Sequence, residues 1–147
     1  MATNRVIARE DGDLTTSIIT TRNQQFKDID LSFTVKENGE LYTKKDAAAV
    51  KQAVKNLVLT NYFEKPFQPF FGSDVRALLF ELADDDVEED VEEAIANAIS
   101  AYEPRAVVRT VAATSKPEQN SINVYIEFQV INTTETVTIN TTLSRLR

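Results

Sequence analysis

The chain has neither cysteine nor histidine among its 147 residues. Those two absences exclude a disulfide framework, a thiolate or imidazole metal centre, a Ser-His-Asp or Cys-His nucleophile and a histidine pH switch. An enzyme built from this chain would have to work with carboxylates, lysine, tyrosine or serine. With three glycines and four prolines there is little room for low-complexity or collagen-like structure. No run approaches the roughly 18 uninterrupted apolar residues of a membrane span. The opening MATNRVIAREDGDLTT lacks the apolar centre of a secretory leader. The expectation is a chain that is soluble and cytoplasmic at synthesis, with no membrane partner. What remains, 42% apolar and 27% charged, is the composition of a globular protein. At this length a single core buries roughly 68–70% of the unfolded surface.

Charge is unevenly placed. The net charge is −7, and nine acids fall between Glu81 and Glu93 without an intervening lysine or arginine. Taking those nine charges away leaves the rest of the chain at +2. The acidity therefore reflects one local face, expected to be solvated or to complement a basic partner and speed association. It argues against nucleic acid, whose phosphates demand a concentrated basic patch.

Residues 1–25 are polar and Thr-rich, anchored only by Leu14, Ile18 and Ile19, and read as an extension or arm; residues 26–147 read as one domain. Ile29, Leu31 and Phe33 alternate with polar residues, and Asn38-Gly39 supplies a tight turn before Leu41-Tyr42, so a small hairpin is expected. From Asp46 to about Thr60, Val50, Val54, Leu57 and Val58 recur at helical spacing. The stretch 61–72 holds Pro66, Pro69 and four phenylalanines, Phe63, Phe67, Phe70 and Phe71. It cannot be regular helix, and its aromatic area predicts a clamp packed onto the core. Ser73 is the expected N-cap of a second helix that buries Val75, Leu78, Leu79 and Leu82, with Gly72 as its structural turn. Asp86 to Glu89 resembles an acidic capping box opening a third helix, in which Val87, Val91, Ala94, Ile95, Ala98, Ile99 and Tyr102 form the apolar stripe.

Pro104 stops that helix, and the period changes to two. Strands are expected at 106–113, 122–130 and 137–143, joined by turns at 116–120 and 132–135. The second strand alternates most clearly, with Ile122, Val124, Ile126, Phe128 and Val130 inward. The expected fold class is α+β: two layers, an antiparallel three-stranded carboxy-terminal meander on about three helices, with a small amino-terminal hairpin.

Two places suggest function. Tyr102-Glu103-Pro104-Arg105 joins the long helix to the first strand. Its plain reading is a helix stop with a solvated ion pair, which contributes about 0–1 kcal/mol. Its sharper reading is a stiff recognition corner, where Pro104 fixes the backbone and Arg105 grips a partner's oxygens. The last strand, Thr-rich and free of Pro or Lys, offers an edge whose outward residues would be Thr136, Thr138, Asn140 and Thr142. That edge is either covered by the amino-terminal arm or open to strand addition. Arg145 and Arg147 could meet acidic residues of the incoming partner.

The order DIDLSF at 28–33, the Asp46 helix, PFFGS at 69–73, LLFE at 78–81, an acidic long helix, YEPR at 102–105 and three final strands resembles the baseplate-wedge protein family of contractile-tailed phages. That family includes the type VI secretion baseplate subunit TssE. The resemblance spans about residues 28–147. It implies a small structural subunit in each of six wedges, assembled in the host cytoplasm into the virion tail baseplate. Other wedge proteins, the tail sheath subunit and the tail tube would be its partners. Glu103, Pro104 and Arg105 match the family's docking corner, and the final strand would template the first sheath ring. No cofactor, metal or catalytic residue is implied. Two departures stand out: residues 1–25 extend beyond the usual start, and Asn61-Tyr-Phe-Glu-Lys replaces a more glycine-containing connection. Two alternatives belong to other classes. A lysozyme-like glycoside hydrolase needs only two suitably spaced carboxylates, one of them in an apolar setting. A soluble adaptor protein that binds a response regulator would share the fold.

Overall fold

A computed structural model describes residues 26–80, 85–131 and 133–144. The expected arm at 1–25, Leu82 of the expected core, Asn132 of a turn, and Arg145 and Arg147 lie outside the described residues.

Two short strands, β1 (Lys27–Ile29) and β2 (Thr43–Lys45), pair antiparallel and lead into helix α1 (Asp46–Leu59). The expected hairpin is therefore present, with its tip closed by Gly39 at φ +82 and a Val35–Leu41 bridge. It is not the continuous strand that Ile29, Leu31 and Phe33 suggest. A turn in which the Phe33 amide donates to the Asp30 carbonyl interrupts it, and all three apolar residues are exposed. Period-two alternation here has no second layer to bury it.

Helix α1 buries Ala49, Val50, Val54, Leu57 and Val58, the stripe its spacing predicts. The helix after it is much shorter than expected: α2 covers only Val75–Leu78. Its cap is Asp74, in left-handed conformation, and not Ser73. Ser73 instead finishes α1. Its buried hydroxyl donates to the Val58 carbonyl at 2.7 Å, and its amide donates to the Thr60 carbonyl at 3.2 Å. Carbonyls at a helix carboxy terminus lack intrahelical donors, so a serine folded back onto them satisfies what the helix leaves open. Gly72 makes the approach possible. It sits at φ +131, and a Cβ there would lie 2.3 Å from the Thr60 oxygen.

Helix α3 is Asp85–Tyr102; the Asp86 side chain, and with it the expected capping box, lies outside the described residues. The long strands follow: β3 (Ala106–Lys116), β4 (Ser121–Val130) and β5 (Thr136–Ser144), in the order β3-β4-β5, all antiparallel. Ile126 is opposite Val111 on one side and Ile139 on the other. A register shift between Val108 and Thr110 moves the inward set from Ala106 and Val108 to Val111 and Ala113. That bulge keeps β3 facing the helices along its whole length. The three helices cover one face of the sheet, giving the expected two-layer α+β arrangement. Phe128, Ile126 and Val124 of β4 meet Ile95 and Ile99 of α3 and Val50 and Val54 of α1 in the core.

Candidate assembly interface

A three-stranded sheet has two edges, and here they have opposite fates. Along β3, the backbone amide of Ser115 donates to a Glu88 carboxylate oxygen at 2.6 Å, and that of Ala113 to Glu92 at 2.8 Å. Alternate amides of an edge strand point the same way, and residues four apart share one face of a helix. Two glutamates of α3 are thereby placed as acceptors for two successive free donors of β3. The acidic run is thus not simply a solvated face. Glu88 and Glu92 turn inward to close an edge, and their charged acceptors make the stronger class of hydrogen bond. Their i, i+4 spacing beside the Val87–Val91 stripe is legible in the sequence; which acids of the run face a strand is not.

Along β5, no backbone group on the outer side is hydrogen-bonded among the described residues. Val137, Ile139, Thr141 and Leu143 face the helices, while Thr136, Thr138, Asn140 and Thr142 are exposed on the other face. The edge carries no lysine, proline or bulge, the usual devices that blunt such a row of donors and acceptors. Thr142 also donates its hydroxyl to Asn123 of β4 at 2.9 Å, which ties it across the outer face.

At the junction of α3 and β3, Glu103 is 7% exposed. Its two oxygens accept from Arg105 Nε at 2.6 Å and Nη2 at 2.7 Å. The Arg105 guanidinium is held above its usual range chiefly by that hydrogen bond to the Glu103 carboxylate. It also lies 5.5 Å from the ring centre of Phe26. The corner is locked within the chain: Ala106 donates to the Glu103 carbonyl at 3.0 Å and Ile131 to the Arg105 carbonyl at 2.8 Å. Pro104 stands exposed at its apex. A guanidinium has five N–H donors, so three remain for other acceptors.

The aromatic stretch departs furthest from expectation. Phe63 is 75% exposed, Phe67 is fully exposed and Phe70 is also exposed; of the four, Phe71 alone packs against the core. The loop does not clamp. It is nevertheless held firmly, with Phe63 donating to the Pro69 carbonyl at 2.7 Å and the Tyr102 hydroxyl to the Phe70 carbonyl at 2.7 Å. Asn61 donates through both its amide and side chain to Glu64, whose carboxyl lies below its ordinary range because of the Asn61 backbone amide first and its side chain second. Phe63 and Phe67 sit at φ +66 and +65, a conformation that costs bulky residues energy. Aromatic content predicts burial only when the backbone can bring the rings to a core, and the two prolines turn this chain outward.

The fold is a small two-layer α+β domain in which one sheet edge is partly closed by a helix and the other has no backbone partner among the described residues. A family model described as "Baseplate wedge protein gp25" matches residues 44–135. The chain belongs to that family. Baseplate wedge protein gp25 of Enterobacteria phage T4 is 28% identical over 114 residues, covering 75% of this chain and 83% of that protein. Among solved structures, a chain of the anti-feeding prophage baseplate superposes with a TM-score of 0.58 at 15% identity, over 80% of this chain and 84% of its own. A chain of the pyocin R2 baseplate gives 0.52 at 14%, over 82% and 99%. A Geobacter sulfurreducens protein called a tail lysozyme gives 0.60 at 17%, over 67% and 89%. At such identities these three report shared fold. The chain is accordingly a baseplate wedge component of a contractile tail.

Proposed function

We propose that the chain docks to other wedge proteins through the Glu103-Pro104-Arg105 corner and templates the first sheath ring by strand pairing along β5. The observation that carries the reading is the asymmetry of the sheet: Glu88 and Glu92 accept from two donors of β3, at Ala113 and Ser115, whereas the outer donors and acceptors of β5 are unused among the described residues. A strand added there continues the sheet in the one direction left open. Six copies, one per wedge, would offer six such edges around the tail tube. Assembly in the host cytoplasm accords with this role. Catalysis is not part of the reading. Glu103, the one buried carboxylate among the described residues, has both oxygens accepting from Arg105 and offers neither to a glycosidic leaving group.

Single prolines at Asn140 and Thr141 test the edge. Successive strand residues send their amides to opposite sides, so one substitution breaks the β4 ladder and the other deletes an outward donor. Circular dichroism of the isolated proteins identifies the second as the stable one. Its particles should show complete baseplates and tubes without polymerised sheath in electron micrographs; normal sheaths would refute templating by β5.

Arg105→Ala tests the corner. Leaving Glu103 buried without its partner should cost about 1–3 kcal/mol, and incorporation into reconstituted wedges should fall further than this loss explains. Arg105→Lys, a point charge without the planar fork, should restore incorporation only partly. Equal incorporation of wild-type and Arg105→Ala chains would confine the pair to a structural role.

A further inference from the structure

Beside the open edge lies a groove of about 250 Å³. It is lined by Thr142, Leu143 and Ser144 of β5, by Val58 and Leu59 at the end of α1, and by α2 and the residues flanking it, including Arg76 and Leu79. Among the described residues none of its lining comes from β4, which places it at the β5 side of the sheet, between that strand and the ends of the helices. Leu59 is 46% exposed there, and Arg76 stands exposed at the rim.

We infer that this groove seats one large apolar side chain of the strand that pairs with β5, and thereby sets that strand's register. The inference rests on the reading of β5 as the docking edge. Side chains of an added strand alternate between the two faces in step with those of β5. Those on the helical face continue the row of Val137, Ile139, Thr141 and Leu143. Near Leu143 they meet the exposed end of α1 and the groove. The volume suits the task, since a cavity of roughly 150 Å³ already admits a benzene ring.

A register device is needed at this edge. The solvent-facing residues of β5 are three threonines, an asparagine and a serine, and polar strand faces specify register weakly. One half-open groove at one end of the strand, with Leu59 and Leu143 among its polar and apolar lining, removes that ambiguity, because a slip of one residue turns the seated side chain to the opposite face. Arg76 at the rim adds charge complementarity for a carboxylate beside the apolar residue. The occupant is therefore an extended segment of the sheath subunit, with a large apolar residue facing the helices and an acidic residue close by.

The test uses the full chain and purified sheath subunit, with binding followed by sedimentation and sheath initiation by electron microscopy. Leu59→Glu, which puts a carboxylate against the apolar wall, should weaken binding at least about tenfold, and Leu59→Met should bind within about threefold of wild type. Arg76→Glu, at an exposed position, should weaken binding severalfold and decides the matter alone if Leu59→Glu fails to fold. Wild-type binding by both Leu59→Glu and Arg76→Glu, together with loss of binding in the stable proline variant, would overturn the groove while leaving the edge reading intact. Wild-type binding by that proline variant as well would overturn both. A chain that self-associates through Leu59 yet binds sheath normally as Leu59→Glu would show a second copy as the occupant and overturn the proposal.

Discussion

The two edge strands of the sheet are similar in length and both pair with β4, yet they meet different surroundings. β3 lies against the long helix α3, and two of that helix's glutamates take up two of its outward amides at 2.6 and 2.8 Å. β5 runs beside the ends of α1 and α2, and its outer side has no backbone partner among the described residues. A protein that builds larger assemblies by strand addition has to restrict that addition to one side, since any unpaired edge is a template. Under the proposed strand addition at β5, side chains of a neighbouring helix would supply that restriction on the β3 side, where they accept from two of its amides. β3 carries its bulge and Arg109 near its start, whereas its later part, Val111 to Ser115, has no charged residue or proline and is where Glu88 and Glu92 bind.

Gly72→Val should have the largest effect and should strike the β5 side. The new Cβ meets the Thr60 oxygen at 2.3 Å, and φ +131 is strained for any L side chain. A loss of at least about 2 kcal/mol is expected, read as a lowered melting temperature, with the end of α1 displaced from behind the groove. An unchanged melting temperature would mean that the Thr60 turn moves without cost and that this support for β5 is loose.

The double substitution Glu88→Ala, Glu92→Ala is the direct way to erase the difference between the edges. Two edge amides lose their acceptors, and where the new surroundings keep water away each costs about 1–3 kcal/mol. The variant should also self-associate through its exposed β3 edges, raising its sedimentation coefficient with concentration. Should it stay monomeric and as stable as the wild type, the glutamates do not guard the edge.

Phe67→Ser should do least to the monomer. The ring is fully exposed, so the change in unfolding free energy is expected to stay within about 0.5 kcal/mol. Both edges should be untouched. A larger loss in urea denaturation would show that the loop contributes to the support of β5 after all.

Much of this arrangement is legible in the sequence, for reasons that differ by element. The α1 stripe, the α3 stripe and the alternation of β4 are periodic patterns set by local geometry, and a pattern with one buried face has only one way to orient. The Asn38-Gly39 turn and the Pro104 stop are local too. The Tyr102–Arg105 corner is visible as a motif, but the bidentate pairing of Glu103 with Arg105 depends on both side chains leaning back across Pro104. Ser73 reads as a helix start because serine favours caps; its use against Val58 and Thr60 requires the chain to double back over twelve or more residues. The phenylalanines between Phe63 and Phe70 have the composition of a core and the position of a surface, which no local rule distinguishes.

The sequence by itself determined the helical and strand periods, the two-layer class and the family, because each follows from residue spacing or from motifs in a fixed order. Tertiary structure alone decided that Glu88 and Glu92 of the 81–93 run face β3, which edge lacks a backbone partner among the described residues, where the groove lies and which aromatic rings reach solvent. Those outcomes depend on contacts between residues far apart in the chain. Glu92 and Ala113 are 21 positions apart, and Leu59 reaches the same groove as Leu143 only after the whole sheet is built. Hydrogen bonding and burial act over a few ångströms in space, and distance along the chain carries no record of them.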